Sequence, residues 1–325
     1  MNKLMIFILI FTASYFYNEL INSEYVAQEV YDKATYSDIN FENINLNNYQ
    51  NLKIGDSLEV LINSVGSPQR IDKSEYDFDW YVYNKDLEKF FMVGVKNEKI
   101  VSLYSNSINS LETENINIGD YKQKVLDNFK PIKYKIKGNI KYKIDSNGEY
   151  DIVKVNDKYI TFFYDINDNN KIVSYQVVEK STENKTDDIY PKSSKDIKIS
   201  LELQMIDLIN STRVKNNLNP LEYSLSATNS ARKHSFDMMS NNFFNHNNLK
   251  NETPFERMKK ENINYTYAGE NIAGGQTSSI YAHEALMNSL GHRKNILGNN
   301  YKYIGVGVEI GKGDYKTYYT QNYYQ

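Results

Sequence analysis

Six side chains able to carry proton or metal chemistry lie in the last third of this 325-residue chain: His234, His246, His283 and His292, with Glu270 and Glu284 among them. These four are all of the protein's histidines. Imidazole titrates near neutrality and is the commonest metal ligand, so two or more such rings meeting at a carboxylate make a metal or acid–base site. The chain has no cysteine, which removes thiol catalysis, disulfides and thiolate-held zinc. A formal charge of -3, with 40% hydrophobic residues and 29 tyrosines, allows sizeable cores but gives no overall field suited to a polyanion. Nucleic acid is not an expected partner.

The elements that must position these residues read as helices followed by strands. Ile199, Leu203, Ile206, Ile209 and Val214 space out as one helix face, and Ala227, Ala231, His234 and Met238 as the stripe of the next helix. A lone histidine on an apolar stripe is ordinarily a core residue bonded to a backbone carbonyl, so His234 is a secondary candidate. Thr253-Pro254-Phe255-Glu256 is a capping box that starts a third helix, with Lys259 and Lys260 toward water. A fourth helix is expected from about Ser279 to Leu290, stopping at Gly291, with His292 directly after the stop. His283 and Glu284 are expected on its exposed side. Ile304, Val306, Val308 and Ile310 alternate with Gly305 and Gly307 as a strand, and Tyr315 to Tyr323 returns as another. Helices against an antiparallel sheet predict an α+β fold, here a sandwich.

Upstream, Lys3 precedes an apolar run from Leu4 to Tyr17 that is short for a bilayer span, so residues 1–23 are expected to be a signal peptide or membrane anchor. Residues 24–50 form a polar, Asn-rich tether. Residues 51–180 contain an internal repeat. Ile54-Gly55-Asp56 recurs as Ile118-Gly119-Asp120, and Lys99-Ile100-Val101-Ser102 as Lys171-Ile172-Val173-Ser174. Each copy predicts a helix, with Asp56 or Asp120 as N-cap, followed by antiparallel strands. Asp165, Asn167 and Asn169 mimic a calcium loop, but Asn170 and Gln176 stand where that loop needs Gly and Glu, so a hairpin turn is expected. With no histidine and no phosphate loop, this part reads as an interaction module. Residues 181–198 turn polar around Pro191 and Ser193-Ser194 and mark a linker before the segment 199–325.

Within 199–325 the motifs His234-Ser235-Phe236-Asp237-Met238, Phe243-Phe244-Asn245-His246, Ala268-Gly269-Glu270-Asn271-Ile272-Ala273, Gly291-His292-Arg293-Lys294-Asn295-Ile296-Leu297 and Tyr319-Thr320-Gln321 occur in the order of the CAP superfamily. This superfamily comprises the cysteine-rich secretory, antigen and pathogenesis-related (SCP-like) proteins. The chain resembles their cysteine-free bacterial branch, and residues 51–180 more loosely resemble the CAP-associated amino-terminal domain. The resemblance implies an α-β-α sandwich with an open cleft, in which His246 and His292 are the cleft histidines and Glu270 the first of two glutamates that hold zinc in relatives. The second glutamate position is Ser289, and Glu284 lies about 140° away around the helix, so it is no simple substitute. Two imidazoles with at most one carboxylate predict weak zinc binding, on the order of micromolar or poorer. Two functions are then expected. One is a secreted or surface-tethered module whose cleft binds an extracellular lipid, glycan or cell-wall component. The other is a metal-dependent extracellular, peptidase-like hydrolase in which Glu270 is the catalytic residue beside His246 and His292. A structural envelope protein is a third. Any membrane contact is expected only through the amino-terminal segment.

Overall fold

Apolar and β-branched runs separated by Asn, Asp and Lys turns give the amino-terminal half a seven-stranded sheet, in a computed structural model that describes residues 46–325. The expected signal or anchor segment and the tether up to residue 45 lie outside the described residues. The last tether residues form a 3₁₀ turn, Leu46–Asn51, that buries Tyr49 in the first core.

The strands are β1 (Arg70–Lys73), β2 (Asp79–Tyr83), β3 (Phe91–Lys96), β4 (Lys99–Ser105), β7 (Tyr150–Val155), β8 (Lys158–Asp165) and β9 (Lys171–Glu179), in the order β1-β2-β3-β4-β9-β8-β7. All neighbours are antiparallel, and the two repeats join where β4 meets β9. The repeat is visible bond by bond. Gly55 N donates to Ile100 O and Ile100 N to Asp56 O, while Gly119 N donates to Ile172 O and Ile172 N to Asp120 O, each at 2.8 Å. These bonds seat helices α1 (Leu58–Val65) and α2 (Lys122–Asn128) at equivalent places. The second copy differs by a separate hairpin, β5 (Tyr134–Lys137) with β6 (Ile140–Lys143), which stands apart from the main sheet.

The expected N-caps are corrected by one residue. Ser57 caps α1, accepting from Val60 N, and Tyr121 precedes α2 without a side-chain cap. Asp56 and Asp120 instead accept from Lys53 N and Asn117 N, closing the tight turns before the helices. The calcium-like segment is the β8–β9 turn, with Asn169 and Asn170 at positive φ and Asp165 paired with Arg293 at 2.7 Å.

After the short α3 (Lys180–Lys185), α4 runs from Lys195 to Lys215. It is not amphipathic: Ser200 through Ser211 are all buried. One side packs on the seven-stranded sheet, where Leu208 joins Trp80, Val82, Met92 and Tyr104, and the other packs Leu201, Met205 and Ile209 against the second sheet. Its polar residues are tolerated because they are bonded. Asp207 pairs with Arg70 at 2.6 Å, Ser200 accepts from Lys73 N, Ser211 donates to Leu87 O, and Glu202 binds Arg232 at 2.5 Å. The single face expected from Ile199 to Val214 is therefore half of a helix shared by two cores.

The second sheet orders β10 (Glu222–Tyr223), β12 (Tyr303–Ile310), β13 (Thr317–Tyr324) and β11 (Ala268–Gly274). Helix α4 covers one face, together with α7 (Ser279–Asn288), whose Ala282 and Leu286 join that core. Helix α5 (Leu225–Ser240) covers the other, completing an α-β-α sandwich. Gly305 and Gly307 permit the close approach of α5, since a Cβ on either would lie 2.1 Å from the backbone nitrogen of Thr228 or Arg232. The molecule is α+β throughout.

Candidate functional site

The sequence starts α6 (Pro254–Lys260) with both halves of the capping box, Thr253 Oγ1 accepting from Glu256 N and the Glu256 carboxylate accepting from Thr253 N. That cap fixes the first turn of the helix and so aims Arg257 inward. Its guanidinium donates to His246 O at 2.7 Å, to Glu252 O at 3.0 Å and to Glu270 Oε2 at 2.5 Å. Arg257 is buried, whereas the sequence motifs point only to the neighbouring Lys259 and Lys260. The available signal was an arginine one turn into a capped helix, close in sequence to the histidine loop.

Glu270 sits in β11 with its carboxylate buried between two partners. Oε1 accepts from His246 Nδ1 at 2.9 Å, and Oε2 accepts from Arg257. The Asn322 amide, oriented to satisfy its neighbours, adds a donor to Oε2 at 3.2 Å. Because a carboxylate accepts, the His246 proton on Nδ1 is held toward Glu270, which leaves Nε2 as the ring's free acceptor. The His246 side chain is 47% exposed, so that nitrogen meets solvent.

His292 enters from α8 (Leu290–Ile296), and here the expected helix stop is corrected. The break falls at Ser289, whose backbone is extended (φ -89°, ψ 115°), and the new helix runs straight through Gly291. Ser289, at the position of the absent second glutamate, bonds His292 Nδ1 through its hydroxyl at 2.8 Å. Burial pushes the His292 pKa down, and the charged form of His246 adds a smaller push in the same direction. Asn271 Nδ2 donates to His292 O at 3.1 Å and Asn295 Nδ2 to Glu270 O at 3.2 Å, tying α8 to β11.

The other candidates lie elsewhere. His234 is buried, bonds Asn245 O through Nε2 at 3.0 Å, and has its pKa pushed down to about 4 by burial. It holds the loop that presents His246. His283 and Glu284, expected in water, are buried where α7 meets the amino-terminal sheet. The Nε2 of His283 bonds Thr212 at 2.8 Å, and burial drives its pKa to about 3. Glu284 accepts from Ser174 Oγ at 2.5 Å, and burial pushes it up to about 7. The reason for both is that α7 is sandwiched between α4 and β8, so it has no free polar face.

Among the described residues no group of three or more His, Asp or Glu is placed to hold a metal ion. The residues that would hold one are His246 and His292, with Glu270 behind His246 in the orienting position typical of metal-bound histidine. This set suits an open, weakly held ion and not a closed site.

A family profile described as the cysteine-rich secretory protein family (CAP) matches residues 206–323, and one described as CAP-associated N-terminal matches residues 54–188. The uncharacterized membrane protein YlbC of Bacillus subtilis is 32% identical over 291 residues, covering 83% of this chain and 82% of its own. An extracellular protein containing an SCP domain from Bacillus anthracis superposes with a TM-score of 0.71 at 25% identity, over 89% of this chain and 98% of that one. A cysteine-rich secretory protein from Staphylococcus aureus has a TM-score of 0.64 at 18% identity, over 83% and 93%, and shows the same fold.

Proposed function

The chain belongs to the CAP family, in its bacterial form with a CAP-associated amino-terminal domain, and on that premise we propose that it is an exported binding module whose cleft takes an extracellular ligand. The ligand class is a lipid, glycan or cell-wall component with a polar group directed at the two imidazoles. One observation carries the choice of binding over hydrolysis. The Glu270 side chain is only 1% exposed, with Oε1 on His246 and Oε2 on Arg257, so the carboxylate is shut off from water and serves to fix an imidazole. The hydrolase alternative needs that carboxylate free, or a second acid where Ser289 stands.

Zinc would be held by His246 and His292, weakly, and would supply a Lewis-acid contact for an oxygen of the ligand. Export is supported by the extracellular Bacillus anthracis neighbour, and surface retention by YlbC, a membrane protein. No helix among the described residues is long and apolar enough to cross a membrane, so retention would rest on residues 1–23. Calorimetric titration with zinc tests the site. Wild type is expected to bind with a Kd on the order of micromolar or poorer, and the His246→Ala/His292→Ala double variant not at all. Identical isotherms would remove zinc from the site.

A further inference from the structure

The β5–β6 ribbon is charged unlike the rest of the molecule. Residues 130–143 hold six lysines, Lys130, Lys133, Lys135, Lys137, Lys141 and Lys143, and no acid, in a chain of net charge -3. Its alternation is also inverted. Lys135 and Lys137 turn inward and pair with Glu183 at 3.2 and 2.7 Å, while Tyr134 and Ile136 face out opposite Lys143 and Lys141. Ile136 is 65% and Ile140 53% exposed, and the Lys141 ammonium lies 3.9 Å from the Tyr134 ring centre. A slip of one residue would exchange the two faces, but it would break both Glu183 pairs, so the ribbon is fixed with Tyr134 and Ile136 in water on one face, while Ile140, opposite Lys137 beside the turn, lies on the other.

Exposed apolar side chains ringed by Lys130, Lys133, Lys141 and Lys143 match a surface that is negative outside and apolar within. A soluble polyanion would satisfy the lysines alone and give Tyr134 and Ile136 nothing. We propose that this hairpin docks on an anionic lipid surface, with Tyr134 and Ile136, on the face that also carries Lys141 and Lys143, entering the headgroup boundary and the exposed lysines on lipid phosphates.

Trp80 is the only tryptophan and is fully buried, so Ile136→Trp in the full chain places a reporter on the docking face of the hairpin, whatever residues 1–23 do. With phosphatidylglycerol vesicles its emission is expected to shift to the blue and to be quenched by doxyl-labelled lipid. With pure phosphatidylcholine vesicles neither change is expected. Adding Lys141→Glu and Lys143→Glu should weaken the response more than tenfold, since each lysine contributes about fivefold near an anionic surface. Leu111→Trp, exposed beside Glu112 and Glu114, should not respond. An Ile136→Trp signal that ignores anionic vesicles, responds equally to phosphatidylcholine, or responds as strongly to soluble polyphosphate would overturn the proposal.

Discussion

Glu270 illustrates how much of the site resides in partners that the motifs do not name. His246, Glu270 and His292 were legible because each sits in a recognisable sequence motif. Arg257 was not, because its importance comes from burial against a carboxylate thirteen residues away, which nothing in local composition reveals. Removing it leaves a buried carboxylate without its cation. Arg257→Ala is therefore expected to cost about 3 kcal/mol or more in denaturant-determined stability, whereas His246→Ala, half in water, should change it little. Glu284 yields a prediction in pH. Its folded pKa is raised to about 7 above an unfolded value near 4.5, so its contribution is favourable below that lower value and is lost as pH rises through about 7. Glu284→Gln should accordingly raise Tm relative to wild type at pH 8 and lose that advantage at pH 5. An advantage equal at both pH values would mean that the carboxyl titrates normally.

At the level of elements, the α5 stripe and the α6 capping box were legible because one records burial on a single side and the other a local cap, and the β-branched and aromatic runs marked β12 and β13 as strands although helices cover both of their faces. The same logic misplaced the solvent on α4 and α7, which are covered on two sides. Polar residues such as Asp207 and Glu284 read as surface until their partners on distant strands are seen. The glycines that alternate along β12 are the contact with α5. Gly305→Ala is expected to cost about 3 kcal/mol, the upper end for overpacking, because its new methyl meets helix backbone that cannot swing aside. Gly291→Ala, with open space around it and a helical position, should be neutral or slightly stabilising. Urea titrations of the two variants check both statements.

For the whole molecule, α4 makes the two sheets share a helix, so residues 46–325 should unfold as one unit. Trp80 lies in the cluster that Leu208 and Ile280 enter from the other half, and its fluorescence should report the same midpoint as far-UV circular dichroism. Two separated midpoints would show that the halves are independent. The same integration holds four histidines in four environments, with His234 and His283 buried and His246 and His292 reaching solvent. Long-range proton–nitrogen NMR of the imidazoles during zinc titration addresses this directly. The account predicts shifts at the Nε2 atoms of His246 and His292, with the His246 proton remaining on Nδ1 against Glu270, and no change at His234 or His283. Equal perturbation of all four rings, or movement at His234 or His283 while the cleft pair stays still, would contradict it.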